Sequence, residues 1–373
     1  MNEKVKKILV SSKNAVFSEE NVSTIGSTIA CIILGILVGF IFLLGTNPAD
    51  SFTVGLNGIL FGGFKNFEKV LALATPILLT GLSVGFANKT GLFNIGASGQ
   101  FLVGGIAGLY FALSLGQHWI ICLFMSALFG FIYGAIPGLL KAFFNVNEVI
   151  SSIMLNWVSL YCANVFVLNV PGMFKAAEYK TAIVTGISRL PRFDDAMAYT
   201  NIGILIGIIV AVVMLILINR TTFGYSIKAT GFNREAARYG GISTKRNIVL
   251  SMAIAGALAG LGGGLMYLAG NLRYSPQTIL VPAEGFNGIP VALLANNNPI
   301  GMIVTAIYIS FLQVGSDYMQ PEYTTEVVDL VVGCIIYFSA FALLIKKYFG
   351  FDYLKSGWNK FISLFKKKTK EAK

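Results

Sequence analysis

Charged residues are scarce in this chain. Asp, Glu, Lys and Arg make up 12% of its 373 residues, whereas globular domains carry roughly 25%, and hydrophobic residues make up 55%. The mean hydropathy is +0.73. A soluble fold of this length needs more polar surface than these residues supply. The composition therefore predicts an integral membrane protein and excludes the soluble classes.

Histidine and cysteine, which build many catalytic and metal centres, are also scarce. The single histidine, His118, lies in a turn, and the four cysteines are far apart inside apolar runs, with neither metal-ligand nor redox spacing. The carboxylates at segment ends cannot form a catalytic pair, and no triad or zinc site can be assembled. A GxxxxGK[ST] phosphate loop is absent too, so the sequence offers no motif for binding and hydrolysing ATP. We therefore predict a protein that is not an enzyme and binds no metal or cofactor itself.

Ten apolar segments have lengths that suit a membrane. They cover residues 25–44, 70–87, 92–113, 119–140, 149–170, 201–218, 248–269, 285–295, 300–314 and 327–345. The predicted fold is all-α and polytopic, with about ten transmembrane helices, some of them short or broken. Its parts are a cytoplasmic tail (1–24), a transmembrane domain (25–345) with a long loop (219–247), and a basic tail (346–373). We expect that basic tail to lie on anionic membrane lipid as an amphipathic helix rather than to bind nucleic acid.

The net charge of +11 follows this topology. If the N-terminus is cytoplasmic, the tails and inner connections together have a net charge of +14 and the outer connections a net charge of −3. Cytoplasmic loops of membrane proteins are enriched in Lys and Arg, so both termini are predicted to be cytoplasmic. The excess of basic residues needs no nucleic acid to explain it.

The third segment contains the stretch GLFNIGASGQFLVGGIAG, which interrupts an apolar run with Asn94 and Gln100. An unpaired amide in hydrocarbon costs several kcal/mol, so these side chains need polar partners. They either line a polar pathway or make hydrogen bonds between helices that the glycines bring close together, and the sequence leaves both open. Short or interrupted segments in corresponding halves of a transporter mark its substrate path. Residues 284–289 echo residues 91–96, which predicts an inverted repeat.

Further candidates for a pathway are aromatic or amide side chains on the same segments. Phe86, Phe93 and Trp157 offer surfaces for stacking, and Asn156 and Asn287 offer amides, although asparagine also joins helices to each other. Ionisable residues are almost absent from the apolar segments. Proton-coupled transporters generally need such residues at mid-depth, so the pattern disfavours proton coupling and a strongly charged substrate.

The long inner loop contains ATGFNREAARYGGI, which predicts a short helix. Asn is a favoured N-cap, alanines favour helix, and glycines end it. A capped helix in a polar loop is suited to binding a partner, the alternative being a plain surface loop. The residues assigned to this element are Asn233, Glu235, Ala236, Ala237, Arg238, Gly240 and Gly241.

This run resembles the coupling segment of ABC-importer permeases, in which Glu-Ala-Ala followed by glycine marks the helix that docks into the ATPase. Together with GLFNIGASGQF and NEVISSIMLNW, it makes residues 70–345 similar to the permease family for branched-chain amino acids and simple sugars, and most of all to its nucleoside-type members.

The resemblance implies an importer in a bacterial plasma (inner) membrane. Its partners would be ABC ATPase subunits that bind ATP, a second permease subunit and an extracytoplasmic substrate-binding lipoprotein. The implied substrate is a nucleoside, with a sugar to hydrogen-bond and a base to stack. A simple-sugar permease and a channel or facilitator that needs no ATP are the alternatives.

Overall fold

The computed structural model of the protein describes residues 19–194, 199–277 and 279–341, with the backbone alone for residues 19–32. In chain order the helices are α1 Glu19–Thr46, α2 Phe67–Lys89, α3 Ala97–Leu113, α4 Trp119–Phe144, α5 Glu148–Asn169, α6 Gly203–Arg220, α7 Thr222–Phe232, α8 Arg234–Tyr239, α9 Thr244–Leu268, α10 Ala283–Leu294, α11 Pro299–Asp317 and α12 Thr325–Ala340. Short π-helical turns cover Ser51–Leu56 and Gly58–Gly62, followed by a helical turn at Gly63–Lys65. A small hairpin pairs β1 Phe174–Lys175 with β2 Lys180–Thr181.

The chain forms two compact units. One comprises residues up to Asn57 and from Met319 onward, and the other is Gly58–Tyr318. In the first unit α1 packs against α12, where a Cβ built at Gly35 would lie 2.8 Å from the Ile335 Cα. The candidate site described below lies wholly in the second unit.

Each of the ten predicted membrane segments coincides with a helix, namely α1 to α6 and α9 to α12. Among the described residues, six helices are long and apolar enough to cross a membrane, namely α2, α4, α5, α6, α9 and α11, and α3 and part of α1 are shorter apolar helices. The chain is therefore a multi-pass membrane protein, as its composition predicts. The predicted tails at 1–24 and 346–373 and the end of the last segment lie wholly or largely outside the described residues.

Three local features differ from the sequence-based prediction. The third segment becomes helical at Ala97, not at residue 92, because residues 90–96 form a turn. The long inner loop holds a second helix, α7, before the predicted α8. Residues 284–289 lie in α10, so they do not share the conformation of residues 91–96 that they echo, and the inverted repeat stays a prediction.

Asparagine begins several of these helices. The side-chain oxygens of Asn66, Asn147 and Asn298 accept hydrogen bonds from amides in the first turns of α2, α5 and α11. Such a cap satisfies amides that have no partner within the helix. In the connection between α10 and α11, Asn296 and Asn297 turn the chain with φ of 50° and 54°, and Asn298 then caps α11.

Helix α9 is the centre of the second unit and packs against α2, α3 and α4. Glycines let it approach α4 very closely, since a Cβ at Gly130 would lie 2.3 Å from the Gly256 carbonyl oxygen. On its other side, a Cβ at Gly104 of α3 would lie 2.3 Å from the Gly260 Cα. Small residues at helix interfaces are typical of membrane bundles, where dispersion forces and not the hydrophobic effect hold helices together.

Candidate functional site

A buried turn between α2 and α3 carries Asn94 into the interior of the bundle. The turn begins at Gly91, whose φ of +69° is readily adopted by glycine and strained for other residues. Leu92, Phe93 and Asn94 then run without regular structure before Ala97 starts α3. Asn94 is 0% exposed and Gln100, in the first turn of α3, is 1% exposed.

Asn94 and Gln100 pair with each other through both ends of their amides. The Asn94 Nδ2 donates to the Gln100 Oε1 at 2.8 Å, and the Gln100 Nε2 donates to the Asn94 Oδ1 at 3.1 Å. The Asn94 Nδ2 also lies 3.0 Å from the Ser83 Oγ on α2. The two residues would lie about 120° apart around an ideal helix, but the turn before Ala97 brings them together. Each amide thereby meets the requirement that buried polar groups be paired.

Asn156 of α5 holds this turn and the start of α3 in place. Its Oδ1 accepts a hydrogen bond from the Gly99 amide at 2.9 Å, and its Nδ2 donates to the Ile95 carbonyl at 3.1 Å. A Cβ at Gly99 would lie 2.7 Å from that Oδ1, so only glycine allows the contact. In this conformation Asn156 joins two segments by hydrogen bonds, the structural role that the sequence left open.

The start of α10 closes the cluster from another side. The Ser98 hydroxyl donates to the Pro282 carbonyl, and the Thr80 Oγ1 lies 3.0 Å from the Glu284 carbonyl. A Cβ at Gly285 would lie 2.2 Å from the Ser98 Cα. The turn, α3, α5 and α10 therefore meet around one set of buried polar groups, which we call the amide cluster: Ser83, Asn94, Gln100, Ser152 and Asn156.

Ser152, like Ser83, is a member of this cluster that sequence reasoning missed. It is fully buried on α5, and its Oγ has no hydrogen-bond partner among the described residues. It lies one helical turn before Asn156, on the same face, which is the signal that could have identified it. A Cβ at Gly96 would lie 3.2 Å from both the Ser152 Oγ and the Gln100 Nε2.

The other predicted pathway residues do not join the amide cluster in the same way. Phe86 is buried in α2, and Phe93 is half-buried in the turn. Trp157 is 39% exposed on α5 and stacks against Tyr161, so its ring faces away from the side of Asn156. Asn287 is half-buried on α10, between the glycines that face α2 and α3.

Two cavities among the described residues of the second unit lie apart from this cluster. A cavity of about 580 Å³ lies among α3, α4 and α5 and has mostly apolar walls, including Tyr110, Phe129 and Phe166. A smaller one of about 210 Å³ lies between α2 and the end of α9, beside Tyr199 and Asn201, which precede α6. Neither is lined by Asn94, Gln100 or Asn156. The cluster is closed, and a solute would reach it only after the helices around it move.

The predicted loop helix is present as α8. The Asn233 Oδ1 accepts a hydrogen bond from the Ala236 amide at 3.0 Å, Gly240 ends the helix, and Gly241 follows with φ of +79°. Of the predicted set Asn233, Glu235, Ala236, Ala237, Arg238, Gly240 and Gly241, only Ala237 is buried. The flanking rings of Phe232 and Tyr239, which the sequence did not single out, are 91% and 92% exposed.

Helix α7 attaches this exposed element to the bundle. The Asn247 Nδ2 at the start of α9 donates to the Thr230 Oγ1 at 2.8 Å and to the Ser226 carbonyl at 3.1 Å. A Cβ at Gly231 would lie 2.3 Å from the Lys89 carbonyl oxygen. The loop helices therefore rest on the turn that leads to Asn94. Among the residues that the structure describes, no group of three His, Cys, Asp or Glu side chains is arranged to bind a metal.

Comparison with known proteins gives one matching family. Residues 66–340 match the family described as the branched-chain amino acid transport system permease component. The guanosine ABC transporter permease NupP of Bacillus subtilis is 36% identical over 84% of this chain and 92% of its own length. The nucleoside ABC transporter permease NupB of Lactococcus lactis is 34% identical over 93% of this chain and 94% of its own. The glucose ABC transporter permease TsgB13 of Haloferax volcanii is 28% identical over 87% of this chain and 89% of its own length. No solved structure matches the chain.

Proposed function

The chain belongs to the family of branched-chain amino acid transport system permeases, and we propose that it is the permease subunit of an ABC importer that takes up nucleosides. The single observation that carries this proposal is its extensive similarity to two permeases named for guanosine and nucleoside transport, at 36% and 34% identity over most of each chain. The family match over residues 66–340 spans the segments that form the amide cluster and the loop helices.

The exposed helix α8 supports coupling to a separate ATPase. We propose that α8 docks in a groove of the ATPase subunit through Glu235, Ala236 and Arg238, with Asn233, Gly240 and Gly241 setting its ends. Phe232 is the last residue of α7 and Tyr239 the last residue of α8, and both rings are almost fully exposed. Exposure of an aromatic ring to water is unfavourable, and a partner that covers the ring removes this cost. ATP is bound and hydrolysed by that partner, and this chain contributes no ATP site.

The amide cluster is the candidate for contact with substrate during transport. In this proposal, ATP binding closes the ATPases, α8 moves with them, and α7 carries the motion to the turn that holds Asn94. The turn separates from α5 and α10, and Asn94, Gln100 and Asn156 become accessible to a neutral, polar substrate. Asn287, Phe86, Phe93 and Trp157 would add an amide and aromatic surface to the open pathway.

The remaining partners follow from the same assignment. A second permease subunit completes the pathway, an arrangement consistent with the further similarity of this chain to NupQ, also named a guanosine permease of Bacillus subtilis, at 26% identity. An extracytoplasmic lipoprotein delivers the substrate. We place the transporter in a bacterial plasma membrane with both termini in the cytoplasm, because the predicted inner connections carry the excess of Lys and Arg.

Uptake measurements test the substrate assignment. Cells that lack the chain and complemented cells are supplied with radiolabelled guanosine or uridine, with unlabelled ribose and leucine as competitors. We expect nucleoside uptake to be lost in cells that lack the chain and to return in complemented cells. Neither ribose nor leucine should reduce it. Unchanged nucleoside uptake would transfer the assignment to simple sugars, the second candidate, which the resemblance to a glucose permease favours.

A further inference from the structure

The Ser152 hydroxyl is an exception to the pairing of the amide cluster. It is 0% exposed, and no hydrogen bond to any described residue compensates its loss of water. A buried hydroxyl without a partner destabilises the folded state, and replacing it by hydrogen would remove that cost. Packing alone therefore gives no reason for serine here, and a buried group of this kind calls for an explanation.

The position of the Ser152 hydroxyl beside Gly96 shows which polar group lies near it. The Ser152 Oγ and the Gln100 Nε2 each lie 3.2 Å from the point that a Cβ of Gly96 would occupy. Because Gly96 has no side chain, nothing of that residue stands between the hydroxyl and the amide. The Ser152 hydroxyl and the Gln100 amide of the reciprocal pair therefore border the same glycine.

The paired amides have the same hydrogen-bonding pattern as the edge of a nucleobase. Each offers an N–H donor next to a C=O acceptor, and a carboxamide binds the adjacent donor and acceptor of a base with two hydrogen bonds. When the turn moves and the pair separates, a base can replace one amide without leaving the other unpaired. A sugar hydroxyl or an aliphatic side chain does not reproduce this two-point edge.

We propose that Ser152, Asn94 and Gln100 together form the nucleobase-recognition site of this permease, in which Ser152 supplies a hydrogen bond that is made only when substrate is present. This inference rests on the proposed nucleoside transport. Ser152 would then lower the stability of the protein without substrate and strengthen the binding of substrate during transport. These two effects can be measured separately.

The test compares Ser152→Ala with Ser151→Ala in complemented cells. Ser151 is the adjacent residue on α5, and its hydroxyl is satisfied by the Glu148 carbonyl at 3.2 Å. Uptake of radiolabelled guanosine and uridine is measured well below saturation, where the rate reports substrate binding, together with the membrane abundance of each variant and its thermal unfolding midpoint after solubilisation. The wild-type chain is measured beside them.

We expect Ser152→Ala to lower uptake about three- to tenfold, the effect of one lost hydrogen bond, with unchanged abundance and an unchanged or higher unfolding midpoint. Ser151→Ala should transport like wild type. Wild-type uptake by Ser152→Ala would overturn the proposal, as would a loss of uptake accompanied by a lower unfolding midpoint, since the hydroxyl would then be structural. If the wild-type chain itself restores no nucleoside uptake, the nucleoside assignment fails and this inference fails with it.

Discussion

Gly231 of α7 packs against the backbone of Lys89, the last residue of α2. A Cβ at Gly231 would lie 2.3 Å from the Lys89 carbonyl oxygen and 3.1 Å from the Gly91 amide nitrogen, so only glycine permits this contact. Gly231 lies just before Asn233, the cap of α8, and Lys89 lies just before the turn that carries Asn94. The contact joins the exposed loop helices to the amide cluster through rigid backbone.

Gly231→Ala should therefore impair transport more than it impairs folding of the membrane helices. The added methyl group must push α7 away from the turn, and overpacking of this kind costs about 1–3 kcal/mol. We expect strongly reduced nucleoside uptake while the assembled transporter still hydrolyses ATP. Gly45→Ala is the control, because nothing lies within 4 Å of the position that its Cβ would take. Equal uptake by the two variants would contradict transmission through Gly231.

Asn233→Ala should weaken the association of this chain with its ATPase. The substitution removes the 3.0 Å cap to the Ala236 amide, and loss of such a cap costs about 1 kcal/mol of helix stability. A six-residue helix has little other local support. Copurification of the ATPase from membranes measures the effect. Asn233→Asp, which keeps a capping oxygen, should retain the ATPase; if it loses as much ATPase as Asn233→Ala, the cap is not the cause.

The reciprocal amide pair should appear as energetic coupling between its two members. Gln100→Met leaves the Asn94 amide without its reciprocal partner in a dry site, at a cost of about 1–3 kcal/mol. In the double variant Asn94→Leu with Gln100→Met, both amides are gone, so the total cost should be less than the sum of the single costs. Unfolding of the four solubilised proteins gives the cycle. Additive costs would show that the two side chains do not stabilise each other.

The single substitution Asn156→Leu should be enough to destabilise the protein. It removes the acceptor of the Gly99 amide and the donor to the Ile95 carbonyl, which leaves two backbone groups buried and unpaired. Each such group costs about 1–3 kcal/mol. We expect a lower unfolding midpoint and lower membrane abundance. An Asn156→Leu protein that is as stable as wild type but inactive would instead make Asn156 a substrate contact alone.

The ion pair between Glu178, in the connection from α5 to α6, and Arg273, in the connection from α9 to α10, should make the stability of the protein depend on acid pH. This exposed carboxylate is hydrogen-bonded and paired with Arg273, which lowers its pKa below the ordinary value of 4.5. The lowered pKa means that the pair stabilises the folded state above pH 4.5 and that this contribution is lost as the pH falls through the folded pKa. Thermal unfolding across this range should show a smaller acid-induced decrease for Glu178→Gln than for wild type. Parallel pH profiles would contradict the pairing.

The sequence predicted the helical segments and α8 because each carries a local signal. Long apolar runs indicate membrane helices, and the cap at Asn233 followed by alanines and Gly240 indicates a short helix. The start of α3 was misplaced because residues 92–96 are as apolar as the helix that follows. Tertiary contacts with Ser83 and Asn156 hold that segment in a turn, and a periodicity argument does not detect them.

The amide cluster itself was only partly predictable. Asn94 and Gln100 stood out because amides are rare in apolar segments, but their pairing depends on the turn at Gly91. Ser152 gave a weaker signal, since serine is common in membrane helices and often bonds to its own backbone. The aromatic side chains were grouped with the amides by residue type, whereas the direction of Trp157 is set by the face of α5 on which it lies.

The most direct test of the account is the energy source of nucleoside uptake. Complemented cells accumulate radiolabelled guanosine before and after depletion of ATP, with ion gradients held constant and with cells lacking the chain as the baseline. The account predicts that uptake falls to that baseline when ATP is removed. Uptake that depends on the chain but continues without ATP would contradict it and identify a channel or facilitator.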